Sequence, residues 1–426
     1  MQAKPDNHAA FGARSAARAV AVGWALFVAA CALPWIGIFR GGLGTTIFQS
    51  YGDRILGGAI PYHAFALEYP PGSLPAFAIP SFAPAGDYRT AFMLFEAASG
   101  LGCIALVAAA TRSSAAAAYC ALAPLALGPL TLHRFDLWPT LLATAGVVSL
   151  MTARERRGVV ALALGTSAKV FPVVLLGPAI VDARRRLLSL AWFCAALLVV
   201  FLPFVLVAPG GVRSSVERQF DRPLQVETLA SSALLALHAI GVYTPRVEFG
   251  SGSWNLAGPA PDALAAVATP VAIAAVVAVW LLYARTPATP RRLATASAAA
   301  VAAWITFGKV LSPQFLVWLV PLVALARWRR DSVLLVAALA LSRSVYPARY
   351  DALVALHTTP IVLLCLRNAV LLALVASLVL RLQRQGVTEQ VGAERERSDA
   401  REGVVLDRRE RNRPDGVPRL EPREGE

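Results

Sequence analysis

The sequence predicts an all-α, polytopic integral membrane protein with about twelve transmembrane helices. The first observation behind this prediction is composition, because 57% of the 426 residues are hydrophobic and only 15% are charged. Soluble chains carry about 25% charged residues, so this composition could not cover a water-soluble surface. The second observation is that long apolar runs alternate with short arginine-rich gaps. The third is that two of only three lysines, Lys169 and Lys309, lie in the middle of apolar stretches.

Arginine clusters indicate which gaps face the cytoplasm, because cytoplasmic loops carry an excess of Lys and Arg. These clusters lie at Arg14 and Arg18, at 154–157, 184–186, 285–292 and 327–330, and from Arg381 onward. Residues 1–18 are therefore expected to be a cytoplasmic N-terminal segment. The apolar run 19–38 that follows is long enough to span about 30 Å, so we expect a retained first helix rather than a signal peptide.

The remaining crossings follow from the side of the membrane on which each stretch begins and ends. A stretch with cytoplasmic arginines at both ends crosses an even number of times, and the other stretches cross once. Single spans are expected at 90–110, 114–130, 137–152, 187–208, 263–284, 333–345 and 353–380. The stretches 158–181 and 293–326 are flanked by arginines at both ends, so each must cross an even number of times. Each is predicted to be a hairpin, with Lys169 or Lys309 at its turn on the outer side. The transmembrane domain then covers 19–381.

The two hairpins have short arms, which indicates where a polar site would lie. Each arm has only about 11 to 16 residues, fewer than the roughly 20 that a perpendicular span needs. Short arms indicate a site sunk below the outer membrane surface. Non-helical backbone at that depth requires protein or a water-filled cavity to satisfy it, and an ammonium group there costs several kcal/mol unless it faces a polar cavity.

Two long loops and a tail complete the domain organisation. The loop 39–89 follows the first span, is expected outside, and has amphipathic character. The loop 209–261 is also expected outside and contains a short apolar segment, 229–242, that predicts a surface or re-entrant helix. Residues 382–426 mix Arg and Glu with little apolar content, which predicts a disordered cytoplasmic tail.

Several function classes are disfavoured by the same sequence. The net charge of +14 follows the arginine distribution of a membrane protein, so we expect no nucleic-acid partner. Five cysteines in apolar stretches and five scattered histidines support neither a disulfide framework nor a metal site. The chain also lacks a Gly-rich phosphate loop and a dinucleotide fingerprint, so we expect no cofactor.

Polar residues on the expected outer side form the candidate site. They are Asp53, Glu68, Arg134, Asp136, Lys169, Arg222, Gln225, Glu227, Lys309, Ser312, Gln314, Arg349 and Asp351, with Arg367 in the last span as a further intramembrane cation. A carboxylate can take the proton of an attacking hydroxyl, while Lys or Arg neutralises charge on a departing phosphate. This mixture therefore suits transfer of a group from a phosphate-linked donor.

Structural alternatives stand beside these assignments. Arg134 and Asp136 could pair with each other and fix a loop, and both lysines could donate to carbonyls at the hairpin turns. Asp53 could lie on a solvated helix face. Arg367 could snorkel or satisfy a buried neighbour.

A set of motifs, in order from about residue 40 to 370, gives the chain a resemblance to a known family. They are Gly58-Ala59-Ile60-Pro61-Tyr62, Glu68-Tyr69-Pro70-Pro71-Gly72, Arg134-Phe135-Asp136, Lys169-Val170-Phe171-Pro172, Arg222-Pro223-Leu224-Gln225 with Glu227, the run from Lys309 to Gln314, and Tyr346-Pro347 with Tyr350-Asp351. Each motif alone is weak, but together they resemble the actinobacterial membrane glycosyltransferases of family 87 in the GT-C superfamily.

The resemblance implies a GT-C-like enzyme of the bacterial plasma membrane. Such an enzyme transfers mannose from a polyprenyl-phosphate donor to a glycolipid or polysaccharide acceptor, with inversion, on the extracytoplasmic side and without metal. An acidic residue of the first external loop would be the base. Where the family pattern has aspartates, this chain has Gly44 and Ala64, which leaves Glu68 or Asp53 for that role.

The donor phosphate and substrate would be bound by the cations and polar groups of the outer set. These are Lys169, Lys309, Arg222, Arg134, Asp136, Gln314, Glu227 and Arg367. Two alternatives remain at this point. One is a non-catalytic protein that binds or translocates polyprenyl phosphate on the same scaffold. The other is a small-solute transporter, for which the similar hairpins are the only hint of an internal repeat.

Overall fold

Helices form nearly all of the regular structure in the computed structural model. The model describes the backbone of residues 7–32, 44–84, 86–181 and 186–411, and side chains between residues 12 and 386 of these ranges. Up to the second loop the helices are α1 Asn7–Ala32, α2 Thr46–Leu56, α3 Leu74–Ala78, α4 Tyr88–Thr111, α5 Ser114–Leu122, α6 Leu137–Met151, α7 Glu155–Ala168, α8 Leu176–Val181 and α9 Arg186–Val207. The later ones are α10 Pro209–Phe220, α11 Leu229–Ala239, α12 Pro259–Ala284, α13 Pro290–Phe307, α14 Leu319–Ala326, α15 Arg329–Val345, α16 Tyr350–Val354 and α17 Thr358–Arg411.

Five segments of the described chain are long and apolar enough to cross a membrane. They are Gly12–Cys31, Tyr88–Thr111, Arg186–Val207, Pro259–Ala284 and Thr358–Gly386. Shorter apolar helices lie at some of the other predicted spans, among them Ser114–Ala126 and Leu137–Met151. The long apolar helices support a membrane protein, while the count of twelve crossings stays a prediction.

Both predicted hairpin turns are breaks between helices. Helix α7 ends at Ala168, and Lys169 has extended backbone before a 3-10 helix, Phe171–Leu175, leads into α8. Helix α13 ends at Phe307, and the chain stays extended until the 3-10 helix Pro313–Trp318 leads into α14. Pro172 and Pro313 follow the two breaks and lack the backbone donor that a continuing α-helix would need. At the second break, Ser312 also has extended backbone, as expected for a residue before proline.

Helix α13 lies at the centre of the core. Nearly all of its residues from Arg292 to Thr306 are buried, and it packs against α12, α14 and α17. The segment 294–303 contains seven alanines, and small side chains allow neighbouring helices to approach closely. This packing fixes the break at Lys309 directly at the end of a rigid helix.

The loop 209–261 contains a small antiparallel sheet that corrects the all-α prediction. Its strands are β1 Leu224–Gln225, β2 Arg246–Gly250 and β3 Ser253–Ala257, in the order β1-β3-β2. Ser251 and Gly252 form the turn between β2 and β3 with φ of 51° and 72°, as a two-residue type I′ turn requires. Strands of two to five residues are too short for their alternation to stand out in an apolar sequence.

The same loop contains two helices. The helix expected within 229–242 is α11, Leu229–Ala239. Helix α10, Pro209–Phe220, was not expected, because it is polar and carries two glycines directly after its first proline.

The last helix extends further than expected. Helix α17 begins at Thr358 and continues to Arg411, so the backbone of 382–411 is helical where we expected a disordered tail. Arg, Glu, Gln and Ala are good helix formers, and the first proline after the membrane-length segment is Pro414. The remainder of that tail, 412–426, lies outside the described residues.

An aromatic cluster packs the loop 39–89 against α4 and the start of α6. Phe48 of α2 stacks on Phe77 and Phe92, with ring centroids 5.2 and 5.3 Å apart. Phe135, just before α6, meets Phe77 and Tyr69 edge to face at 5.1 and 4.6 Å. The loop is therefore packed against α4 and the start of α6.

Gly72 brings this loop into direct backbone contact with the end of α7. A Cβ at Gly72 would lie 2.3 Å from Ser167 Oγ and 2.7 Å from the backbone N of Ala168. We expect Gly72→Ala to destabilise the protein by about 1–3 kcal/mol, because backbone cannot move aside cheaply. A lower melting temperature in detergent would show this. Gly44→Ala, whose Cβ would meet nothing closer than 3.4 Å, is the control, and equal melting of the two variants would contradict the contact.

Candidate active site

The two hairpin breaks, the loop 39–89 and the segment 221–228 meet in one polar region. The loop contributes Glu68, and the segment 221–228 contributes Arg222 and Gln225. The breaks contribute Lys169 and Lys309. Most of the residues expected from the sequence lie here. The inner part contains Asp136 and Lys169, and the outer part contains Glu68, Arg222 and Lys309.

Asp136 is the centre of the inner part. Its side chain is buried, and Oδ1 accepts hydrogen bonds from Lys169 Nζ and Trp318 Nε1, both at 2.7 Å. Lys169 Nζ also lies 4.6 Å from the ring centroid of Phe135 and 5.2 Å from that of Phe315. An ammonium group is stabilised by a carboxylate and by aromatic faces. These contacts tie α6, α7 and the second break together.

Glu96 belongs to the inner part and was missed in the sequence. It is fully buried on α4, and its Oε2 accepts a 2.8 Å hydrogen bond from the backbone N of Leu137. A carboxylate thus caps α6, whose own N-cap residue, Asp136, turns its side chain to Lys169. The sequence does contain a signal for it, because an acidic residue lies inside the predicted span 90–110. An ionisable side chain within a span is expected to have a polar partner in the protein.

Arg134 makes separate contacts instead of pairing with Asp136. Its Nη1 donates to the backbone oxygens of His133 at 3.0 Å and Gly44 at 3.4 Å. The pKa of the neighbouring Tyr346 is raised mainly by burial, and Arg134 opposes this shift. Arg134 therefore links the loop 39–89 to the turn after α15.

Glu68 and Arg222 form the outer part. Arg222 Nη1 lies 3.6 Å from Glu68 Oε1, and the two side chains remain 17% and 30% exposed. Arg222 Nη2 also donates to the carbonyl of Ser251 at 2.9 Å and to Ser253 Oγ at 3.2 Å. Glu68 is thus a partly exposed carboxylate beside a guanidinium held by the sheet.

Lys309 closes the outer part from the side of the second break. Its ammonium donates to the backbone carbonyl of Phe220, at the end of α10. Cations are favourable at helix C-termini, where carbonyls lack helical partners. Lys309 is half-buried. Its contact with Phe220 places it close to Arg222, which follows Phe220 by two residues.

Gln225 connects the second break to β1. Its backbone N donates to the carbonyl of Lys309 at 3.1 Å, and its Oε1 accepts from the backbone N of Leu311 at 3.0 Å. Its Nε2 lies 3.3 Å from both Ser312 Oγ and Glu227 Oε2. This amide fixes the relative position of the lysine and the sheet.

Glu227 and Arg367 are buried behind the outer part. Each is no more than 2% exposed, and Arg367 donates to the backbone carbonyl of Glu227. Asn368 Nδ2 adds a 3.1 Å hydrogen bond to the carbonyl of Thr228. Burial raises the pKa of the Glu227 carboxyl to about 7, an effect that Arg367 opposes. Arg367 thus satisfies a buried neighbour, one of the alternatives considered from the sequence.

Asp53 and Gln314 contribute less to this region. Asp53 is exposed on α2 and forms no ion pair with a described residue. Gln314 is half-buried in the first turn after the second break. The structure therefore brings Glu68, and not Asp53, to the cations.

A metal centre has no obvious ligand set in the described part of the chain. No group of three or more His, Cys, Asp or Glu side chains there is arranged to bind a metal ion. The chemistry that these side chains offer is proton transfer by a carboxylate and stabilisation of an anion by guanidinium and ammonium groups.

A model of glycosyltransferase family 87 matches residues 67–313, more than half of the chain. The matched region begins one residue before Glu68 and ends four residues after Lys309. No curated protein matched the sequence.

Proposed function

Because this chain belongs to glycosyltransferase family 87, we propose that it transfers mannose from a polyprenyl-phosphate donor to a hydroxyl of a glycolipid or polysaccharide. The chain is a glycosyltransferase with the long apolar helices of a membrane protein. The identity of the donor, the acceptor and the stereochemistry are the parts that we propose.

The observation that carries the proposal is the outer part of the polar region. It combines a partly exposed carboxylate, Glu68, with two cationic side chains, Arg222 and Lys309. A sugar linked to a phosphate needs both functions, since a proton must leave the acceptor and negative charge must be stabilised on the departing phosphate.

The reaction is a single displacement at the anomeric carbon. The acceptor oxygen forms a bond to that carbon while the bond from the carbon to the phosphate oxygen breaks. The proton of the acceptor hydroxyl goes to Glu68, and the electron pair of the broken bond stays on the polyprenyl phosphate. Arg222 and Lys309 stabilise that phosphate, and the configuration of the anomeric carbon is inverted.

Glu68 is the preferred base of the two carboxylates expected from the sequence. Its carboxylate lies 3.6 Å from Arg222, so a phosphate bound by this guanidinium would lie close to the base. Asp53 is exposed on α2 and has no such contact with a described cation. The pair of Asp136 and Lys169 joins the start of α6 to the break after α7, and Lys169 is 15% exposed.

The site is proposed to face the extracytoplasmic side of a bacterial plasma membrane. Arg291 and Arg292 lie at the start of α13 and Lys309 follows its end, and Arg156 and Arg157 lie at the start of α7 and Lys169 follows its end. This distribution of arginine favours the proposed orientation in a multi-pass protein. A lipid-linked donor also fits a site at breaks between apolar helices, because its polyprenyl chain can remain in the bilayer while its phosphate reaches the cations.

A donor competition tests this function. Membranes that contain the protein would receive either radiolabelled polyprenyl-phosphate mannose or radiolabelled GDP-mannose, with endogenous lipids as acceptors. We expect label in glycolipid from the polyprenyl donor, and none from GDP-mannose when synthesis of the lipid donor is blocked. Direct use of the nucleotide sugar would contradict the proposal. Binding of the lipid donor without any transfer would instead support the non-catalytic alternative.

A further inference from the structure

Helix α10 lies across the segment of the first loop that ends in Glu68. A Cβ at Gly211 would lie 2.0 Å from the backbone oxygen of Tyr62, so this contact is between two backbones. Further along the helix, Ser215 Oγ and Gln219 Nε2 both donate to the backbone carbonyl of Glu68, at 3.3 and 3.1 Å. Three residues of the helix thus contact the loop at two backbone carbonyls.

The spacing of these residues shows that they share one face of α10. Gly211, Ser215 and Gln219 follow each other at intervals of four residues, which places them on the same side of a helix. Ser215 is buried, whereas Arg213 and Glu217 are exposed and pair with each other. The helix therefore has one face on the loop and one face away from it.

The far end of α10 is fixed to the cations of the site. Lys309 donates to the carbonyl of Phe220, the last residue of the helix, and Arg222 follows two residues later. Arg222 contacts the Glu68 carboxylate at 3.6 Å. The backbone of Glu68 is thus held by Ser215 and Gln219 of α10, and its carboxylate contacts Arg222, two residues beyond the end of the same helix.

We propose that α10 sets the distance between the base and the phosphate-binding cations, with Ser215 and Gln219 as positioning residues for Glu68. They act through the backbone of Glu68 and do not touch the reacting atoms. This inference rests on the proposed function in so far as Glu68 is the base. Its geometric part, the placement of the Glu68 side chain by α10, can be measured without activity.

Adjacent glycines provide a matched pair of variants. A Cβ at Gly210 would meet nothing within 4 Å, whereas one at Gly211 would overlap the Tyr62 backbone. Gly210→Ala and Gly211→Ala therefore make the same chemical change in the same helix turn, and only the second displaces α10 from the loop. The pair of Ser215→Ala and Gln219→Ala removes both hydrogen bonds without adding bulk.

The kinetic test compares these variants in mannose transfer. We expect Gly211→Ala and the double variant to lower kcat at least about tenfold, with the KM for polyprenyl-phosphate mannose within twofold of wild type. Gly210→Ala should match wild type. Wild-type kcat in both altered variants would overturn the inference.

A labelling test reports the geometry alone. Glu68→Cys would be introduced into the wild-type, Gly210→Ala and Gly211→Ala backgrounds, and modification of this thiol by a small methanethiosulfonate reagent would be followed by mass spectrometry. We expect the rate to change at least threefold in the Gly211→Ala background only. Equal rates in all three backgrounds would overturn the inference even if the protein transfers sugar. A change in rate without transfer in wild type would leave the positioning intact and reject the proposed function.

Discussion

Replacing Glu68 by glutamine is expected to lower mannose transfer at least about a hundredfold, because a general base contributes about 10²–10⁴ to the rate. Glutamine keeps the size of the side chain and can still accept a hydrogen bond from Arg222, which lies 3.6 Å from the carboxylate. It cannot take a proton from the acceptor hydroxyl. The loss should therefore fall on kcat, with the KM for the lipid donor nearly unchanged.

Asp53→Asn is the matched control for this variant. It makes the same type of change in a carboxylate of the same loop, but Asp53 is exposed on α2, and the carboxylate that contacts Arg222 is that of Glu68. We expect transfer within twofold of wild type. If Asp53→Asn abolished transfer while Glu68→Gln remained active, the assignment of the base to Glu68 would be wrong.

Removal of one partner of the Asp136–Lys169 pair is expected to destabilise the protein by about 3–5 kcal/mol, because an uncompensated charge then remains buried. The Asp136 side chain is 2% exposed and that of Lys169 is 15% exposed, with 2.7 Å between Nζ and Oδ1. Asp136→Ala also removes the acceptor of the Trp318 indole N–H. Melting temperatures in one detergent would report the loss.

A double variant separates buried charge from general damage at this position. Asp136→Asn together with Lys169→Met removes both charges of this pair, and the asparagine oxygen can still accept from Trp318. We expect it to melt above either single variant, since the two effects are coupled and not additive. The exposed pair of Arg213 and Glu217 is the control, and Arg213→Ala should melt like wild type. Additive losses in the double variant would argue against a coupled pair.

The sequence was most informative where a charge interrupts an apolar stretch. Lys169 and Lys309 were singled out for this reason, and both lie at breaks between helices that bring polar groups together. The rule that a buried ammonium needs a partner is local and physical, so it can be applied without a structure. It does not identify the partner, and Asp136 is 33 residues away from Lys169 in the chain.

Other features could not be predicted because their signals are short or distant. The sheet depends on strands of two to five residues, and β1 acquires its register only from β3, some thirty residues later. Helix α10 has no apolar period, and its role follows from contacts with the loop near Glu68, about 150 residues earlier. The buried Glu96, by contrast, carried the same signal as the lysines and could have been found.

The resemblance seen in the motifs and the match to the family model agree on the region from Glu68 to Lys309. The structure adds a physical distinction within that region. The carboxylates Asp136 and Glu227 are buried, while the carboxylate of Glu68 is 30% exposed. Chemistry is therefore expected at the outer part, and the inner part is expected to fix its geometry.

The most direct test of the account is the anomeric configuration of the product formed by the purified protein in liposomes. Synthetic polyprenyl-phosphate mannose of known configuration would be supplied with a glycolipid acceptor, and the new linkage would be determined by NMR. The account predicts that mannose is transferred with inverted configuration, as a single displacement with Glu68 as base requires. Retained configuration, or no transfer by a protein that binds the donor, would contradict it.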